Sequence, residues 1–421
     1  MKRQLLVMFM LCLPACQATL AEVRQMDDFT WEGVDRIVAI GDLHGDYDNY
    51  IETLQLAGLV NKRGRWIGGT THLVQTGDIP DRGPDTREIM EHIDKLAAQA
   101  EKDGGRVHML IGNHEAMNVY GDLRYTTDQE FEDFAGRNSD ALRDRYYEAV
   151  LQDIQKNQPE AYEKLPENYR EIWEASHPKG YVEHRQAWDP AWNPEGEYAV
   201  RAQGLKAAVK INGNVFVHGG ISDRYADYSL AELTKEARKA LAHFNYENPG
   251  MIEDQCGPLW YRGVAGDRPE VSPELLTSIL ERLSATRMVI GHTPTPGVIW
   301  PRYDGRVVQI DTGIAAHYGG HPAYLEITSE GLFAGYPKGK LALPLSDGDR
   351  EAYLDEVIGL EPENSMLKRF RQRLLGPEAA AGSTSPAEAS AGDGEAADQA
   401  GDEQQEKSCL RDSEVESAPA L

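Results

Sequence analysis

Arg36-Ile-Val-Ala-Ile-Gly-Asp42, continued by Leu43-His44-Gly45, decides the fold. A short unbroken apolar run closed by glycine reads as a strand buried on both faces and ending in a turn. The pattern recurs in His72-Leu-Val-Gln-Thr-Gly-Asp78, Val107-His-Met-Leu-Ile-Gly-Asn113, Val215-Phe-Val-His-Gly-Gly220 and Arg287-Met-Val-Ile-Gly-His292. Val307-Val-Gln-Ile-Asp311 and Ala323-Tyr-Leu-Glu-Ile327 add two more strands. Helical patterns lie between them. Asp85-Thr-Arg-Glu88 predicts a capping box before Ile89, Ile93 and Leu96. Ser272-Pro273-Glu274 places a cap and a first-turn proline before Leu276, Ile279 and Leu280. The alternation predicts a layered α/β domain over about residues 22–376, with two sheets sandwiched by helices.

The stretch from about 117 to 202 breaks this rhythm. It is rich in Tyr, Trp, Glu and Arg, carries helical spacing and contains no strand–Gly–Asp unit. It reads as a helical insertion packed over one face of the core. Trp173, Trp188 and Trp192 could line a substrate pocket or simply pack the insertion down.

Composition narrows the function. The 421 residues hold 69 Asp and Glu against 43 Lys and Arg, a net charge of −26. Such a chain lacks the cationic surface that phosphate-backbone binding needs, so no nucleic-acid partner is expected. At 41% hydrophobic it supports a sizeable core. Four cysteines exclude a disulfide scaffold.

The two ends read differently from the middle. Lys2 and Arg3 precede the short apolar run Leu5 to Leu13, followed by small residues. This predicts a secretory signal over residues 1–21, since the run falls short of the ~20 residues of a spanning helix. Leu13-Pro14-Ala15-Cys16 resembles a lipobox, so the expected location is periplasmic or lipoprotein-anchored through Cys16. Residues 377–421 hold eleven acidic residues against Lys407 and Arg411, with no apolar period. They are expected to form a disordered acidic tail.

Each early strand ends in a residue type that binds metals: Asp42 with His44, Asp78, Asn113, His218 and His292. Strand carboxyl ends converge on the crevice of an open α/β sheet. A set of Asp, His and Asn suits dications of the Mn, Fe or Zn kind. Taken singly, each is better explained as a turn former, because Gly-Asp and Gly-Asn are common turn dipeptides. Six such residues at successive strand ends argue for a shared site.

Gly41-Asp-Leu-His-Gly45, Gly77-Asp-Ile-Pro-Asp-Arg-Gly83, Gly112-Asn-His-Glu115, His218-Gly-Gly220 and Gly291-His-Thr293 stand in order along the chain. Together they resemble the motifs of calcineurin-like metallophosphoesterases of the phosphoprotein phosphatase branch, most closely the bacterial Shewanella-like protein phosphatases. The resemblance implies a sandwich of two mixed sheets flanked by helices and two divalent ions (Mn, Fe or Zn). Asp42, His44 and Asp78 would hold one ion; Asp78, Asn113, His218 and His292 would hold the other. It further implies attack on phosphorus by a bridging hydroxide, with His114 protonating the leaving oxygen. Asp81 would hold the His114 ring, Arg82 would grip phosphate, and Glu115 would be structural. Arg262, in Gly257-Pro-Leu-Trp-Tyr-Arg-Gly263, is the candidate second phosphate-binding arginine. The expected activity is hydrolysis of phosphate monoesters, on phosphorylated protein side chains or small phosphoesters. The alternative is a diadenosine polyphosphate or nucleotide hydrolase with the same motifs. A non-enzymatic metal-binding scaffold is disfavoured by the completeness of the set.

Overall fold

The computed structural model describes residues 24–266, 271–375 and 409–411. Thirteen described strands form two mixed sheets. They are β1 (Arg24–Asp27), β2 (Thr30–Glu32), β3 (Arg36–Ile40), β4 (His72–Gln75), β5 (Arg106–Met109), β6 (Ala208–Ile211), β7 (Asn214–Val217), β8 (Arg287–Ile290), β9 (Trp300–Arg302), β10 (Val307–Gln309), β11 (Tyr324–Thr328), β12 (Gly331–Tyr336) and β13 (Gly339–Ala342). One sheet has the order β1-β2-β6-β7-β8-β10-β9 and the other β13-β12-β11-β3-β4-β5. Within them β3, β4 and β5 run parallel, as do β7, β8 and β10 and the pair β2–β6, while the edge strands β1, β9 and β13 pair antiparallel with their neighbours.

Strand periodicity explains why the core has two compartments. Ile37 and Ala39 of β3 face one way, toward Val209, Phe216, Val289 and Val308 of the other sheet. Val38 and Ile40 face the other way, into a cluster that includes Ile89, Ile93 and Leu96 of the helix Thr86–Lys102. Alternate residues of a strand point to opposite faces. Because both faces are covered, the strand reads as a continuous apolar run rather than an alternating one.

The helix Pro273–Arg282 starts as expected: Ser272 accepts from the Leu275 N–H, with proline at the first position. The box expected at Asp85 does not form. Asp85 makes no side-chain cap and instead accepts from the Tyr47 N–H. Its partner is the first residue of the helix Tyr47–Leu56 rather than its own helix.

Between β5 and β6 the described chain is helical. Its main helices are Asn113–Tyr120, Asp128–Phe134, Ser139–Asn157, Tyr169–Ser176, Tyr181–Trp188 and Glu197–Gly204. The tryptophans pack within this region. Trp188 is fully buried and stacks on Tyr198, Trp173 stacks on His177, and Trp192 packs on Tyr146 and under Arg185. None of these ring partners is one of the strand-end residues.

Residues 1–21 lie outside the described residues, as does most of the expected tail. Of the expected tail, residues 409–411 are described. Cys409 forms a disulfide with Cys256, and Arg411 donates its backbone N–H to Asp223 at 2.9 Å. No described helix is long and apolar enough to cross a membrane.

Candidate active site

The expected residues come from both sheets and meet at one end of the sandwich. Asp42 follows β3, Asp78 follows β4 and Asn113 follows β5, all in the second sheet. His218 follows β7 and His292 follows β8, in the first. The two sets are joined directly, since the His292 backbone N–H lies 3.1 Å from Asp42 Oδ2.

Asp78 is the centre. Its Oδ2 lies 3.3 Å from His218 Nε2, 3.8 Å from His114 Nε2 and 4.0 Å from His44 Nε2. His218 Nε2 is also 2.9 Å from Asn113 Oδ1. Two groups could therefore hold cations: His44, Asp78 and His114, and Asp78, His218 and His292, each with ligand atoms within 4.8 Å of one another. The first differs from the set implied by the motifs, because His114 stands where Asp42 was expected. Asp42 instead leans toward the second group, contacting the His292 backbone and lying 4.0 Å from His218 Nδ1.

Backbone acceptors fix how the imidazoles point. His218 Nδ1–H donates to the Thr76 carbonyl at 2.9 Å, and His44 Nδ1–H donates to the Pro80 carbonyl at 3.2 Å. Both leave Nε2 aimed into the cluster, the arrangement that orients histidine ligands. His114 differs: its Nδ1–H donates to the Asp81 carboxylate at 2.6 Å. Arg82 stacks over the Tyr125 ring at 4.0 Å. Arg262 reaches from the opposite side, donating to the His292 carbonyl at 3.0 Å and to Thr293 Oγ1 at 3.2 Å. Trp260, two residues before it, packs edge-on against the His292 ring.

The loops close only because of glycines and one buried glutamate. A Cβ at Gly112 would sit 2.1 Å from Asp78 Oδ1, so only glycine lets the two motif loops touch. Glu115 is fully buried, and its carboxylate accepts from the backbone N–H groups of Asp78, Ile79 and Gly112 at 2.9, 2.7 and 2.8 Å.

The electrostatics fit cations. Burial, with Asp311 and Asp78 nearby, pushes Asp42 well above the usual carboxylate range. Burial lifts Asp311 to about 6. Burial, with other cationic groups nearby, takes His44 down to about 3 and His292 well below the usual histidine value, so both stay in the neutral form that ligates. His292 Nε2 is buried with no hydrogen-bond partner. Acceptor-only carboxylates crowded beside neutral imidazoles are a donor set for dications. Asp78 goes the other way. Burial opposes its charge, but His218, His114 and His44 outweigh it and hold Asp78 well below the usual range.

Several site residues were not anticipated. Asp311 carried a legible signal, since it ends β10 as Asp42 ends β3, but it sits past the last histidine motif. Tyr318, whose ring lies 5.1 Å from His44, and Tyr125, 5.1 Å from His114, have no motif signal.

A sandwich of two mixed sheets with a histidine–carboxylate cluster at its strand ends, flanked by arginines, defines a metal-dependent phosphoesterase. The chain belongs to the calcineurin-like phosphoesterase family, whose pattern matches residues 35–296. It is 33% identical over 302 residues to an uncharacterized protein of Schizosaccharomyces pombe, covering 69% of this chain and 77% of that one. It is 30% identical over 306 residues to Shewanella-like protein phosphatase 2 of Arabidopsis thaliana, covering 70% and 76%. Among solved structures it resembles the cold-active protein-tyrosine phosphatase of a psychrophilic Shewanella species. The TM-score is 0.58 at 23% identity, over 76% of this chain and 83% of that one. The chain is thus a metal-dependent hydrolase of phosphate monoesters.

Proposed function

We propose that the chain removes phosphate from phosphorylated protein side chains, phosphotyrosine among them. The observation that carries this reading is the short His114–Asp81 pair beside Arg82. Burial works against protonation of His114, but the carboxylates of Asp78 and Asp81 outweigh it and raise its pKa. That suits a group delivering a proton from Nε2 to the leaving oxygen. Arg82 and Arg262 bind the phosphoryl oxygens from two sides. Asp42, His44, Asp78, Asn113, His218 and His292 would hold two dications of the Mn, Fe or Zn kind. Such ions, when bound, supply positive charge for the phosphoryl group and lower the pKa of water. The similarity to a plant protein named as a protein phosphatase supports a protein substrate. The Tyr125 and Tyr318 rings, 4.0 and 5.8 Å from the Arg82 guanidinium, offer aromatic surface next to the phosphate grip that a tyrosyl ring could pack on.

The test is turnover of metal-stripped protein with Mn, Fe or Zn restored in turn. Phosphotyrosine peptide, phosphoserine peptide and a dinucleoside polyphosphate are the substrates. Peptide turnover that falls at least ~100-fold in His114→Asn and Asn113→Ala is expected. Turnover of the dinucleotide alone would replace this reading with the nucleotide hydrolase.

Export to an oxidising compartment is part of the proposal. The charged and apolar start of the chain supports it, as does the Cys256–Cys409 disulfide, since such bonds persist outside the cytosol. Cell fractionation that finds the chain only in the cytosol would refute it.

A further inference from the structure

Asp81 and Arg82 are consecutive non-glycine residues in the left-handed region, with φ of 72° and 69°. Each is strained there, so something must over-determine the pair. The hydrogen bonds show what does. The Asp81 backbone N–H donates to Glu130 Oε2 at 3.0 Å, and the Arg82 backbone N–H donates to the Tyr125 carbonyl at 3.2 Å. Thr126 Oγ1–H donates to Asp81 Oδ1 at 2.7 Å. Glu130 is fully buried and its other oxygen accepts from Thr86 Oγ1 at 2.7 Å, so the glutamate is itself pinned. Thr126 and Glu130 belong to the helical region between β5 and β6, not to the phosphoesterase motifs.

We propose that this region is part of the catalytic apparatus: Thr126 and Glu130 are positioning residues that hold Asp81 and Arg82 in working geometry. The inference rests on His114 being the acid and Arg82 a phosphate grip. Thr126 acts on one side. Its hydroxyl occupies the Asp81 oxygen that His114 does not use, leaving Oδ2 to orient the imidazole. Asn118 Nδ2 adds a second donor to Oδ2 at 3.1 Å. Glu130 acts on the backbone, so its loss moves Asp81 and Arg82 together. A helix-capping role for the same side chains does not suffice. Thr127, not Thr126, caps the helix Asp128–Phe134.

A misplaced acid hurts most where the leaving group needs protonation. The test compares phenyl phosphate, a poor leaving group, with 2,4-dinitrophenyl phosphate, a good one, in the metal-loaded full chain. Thr126→Val should lower kcat on phenyl phosphate about tenfold while changing the dinitrophenyl ester less than about twofold. Thr126→Ser, which keeps the hydroxyl, should restore it. Glu130→Ala, which removes the acceptor of the Asp81 N–H, should lower kcat and also raise KM for both esters, because the Arg82 grip loosens as well. Equal losses on both esters in Thr126→Val, or no rescue by Thr126→Ser, would overturn the proposal. Folding is checked by circular dichroism, and Thr126→Ser keeps the comparison valid if Glu130→Ala does not fold. His114→Asn separates the two ideas. If it shows no leaving-group dependence, the acid assignment fails; if it does and Thr126→Val does not, only the positioning role fails.

Discussion

Glu115 is the residue whose loss the structure prices most directly. Its carboxylate is the acceptor for three buried N–H groups, two in the loop of Asp78 and one in the loop of Asn113. Glu115→Ala orphans all three. A buried donor left without a partner costs roughly 1–3 kcal/mol, so the structure predicts a loss of roughly 3–9 kcal/mol. Water entering the emptied space would bring the value toward the lower end. Even ~3 kcal/mol is a large share of the about 5–15 kcal/mol by which domains are stable. Glu115→Gln is the discriminating variant. Oε2 serves Asp78 and Gly112 while Oε1 serves Ile79. An amide can keep its carbonyl on the first pair, but its NH2 then faces the Ile79 N–H. One bond is lost and two donors meet, for roughly 1–3 kcal/mol.

Urea unfolding of the wild type and both variants measures these values, and metal titration measures the second effect. Because Glu115 holds the loops of Asp78 and Asn113 together, both variants should bind metal about 10–100-fold more weakly, the usual cost of losing an outer partner. The expected order of stability is wild type, then Gln, then Ala. An Ala variant within ~0.5 kcal/mol of wild type would refute the reasoning, because only surface substitutions are usually that mild and this one removes the acceptor of three buried N–H groups.

Mapping of unreduced peptides should recover Cys256 joined to Cys409, and Cys409→Ser should cost roughly 2–4 kcal/mol in unfolding experiments; an unshifted transition would show that the bond leaves the fold unsupported. Glu326 accepts from Arg36 at 2.5 Å and Lys340 at 2.6 Å, and although burial works against its charge, these cations hold its pKa below the usual value. A depressed folded-state pKa stabilises above the unfolded value of about 4.3 and loses that benefit as pH falls through the folded value. The stability gap between wild type and Glu326→Gln should therefore be full at pH 7 and shrink below about pH 4; a gap independent of pH would contradict the ion-pair assignment.

The strands were legible because their signal is local. Ile37, Val38, Ala39 and Ile40 are all buried, and a run of four apolar residues before Gly-Asp has few other readings. The edge of the same sheet was not legible. In β13, Gly339 and Leu341 are only partly covered and Lys340 and Ala342 are exposed, so no apolar run marks it. The motif residues could be read because glycine and aspartate at strand ends leave a fixed spacing. Thr126 and Glu130 could not, since an isolated Thr or Glu in a polar helical stretch carries no sign that it faces Asp81. Cys409 was hidden for a similar reason. Its partner lies 153 residues away, and nothing in a polar tail distinguishes a bonded cysteine from a free one.

The competing explanation for Asp42, His44, Asp78 and their neighbours was that they merely form turns. The structure shows that the two explanations describe one arrangement. Nine described non-glycine residues have positive φ, and five of them, His44, Asp78, Asp81, Arg82 and His292, are site residues. Aspartate and histidine are the side chains that tolerate the left-handed region best after glycine and asparagine, but arginine gains nothing there locally. Their turned backbones place the His44 and His292 rings beside Asp78 and the Arg82 guanidinium over the Tyr125 ring. The strain is repaid by contacts that cross between loops, such as the Leu43 and His44 N–H groups on the Asp78 carbonyl at 2.9 and 3.0 Å. Each loop is held by another loop of the site rather than by its own sequence. This interdependence explains why each motif alone is weak evidence and the ordered set is strong. A single Gly-Asp turn can stand anywhere, whereas left-handed histidines and arginines persist only where neighbouring loops supply the missing stability.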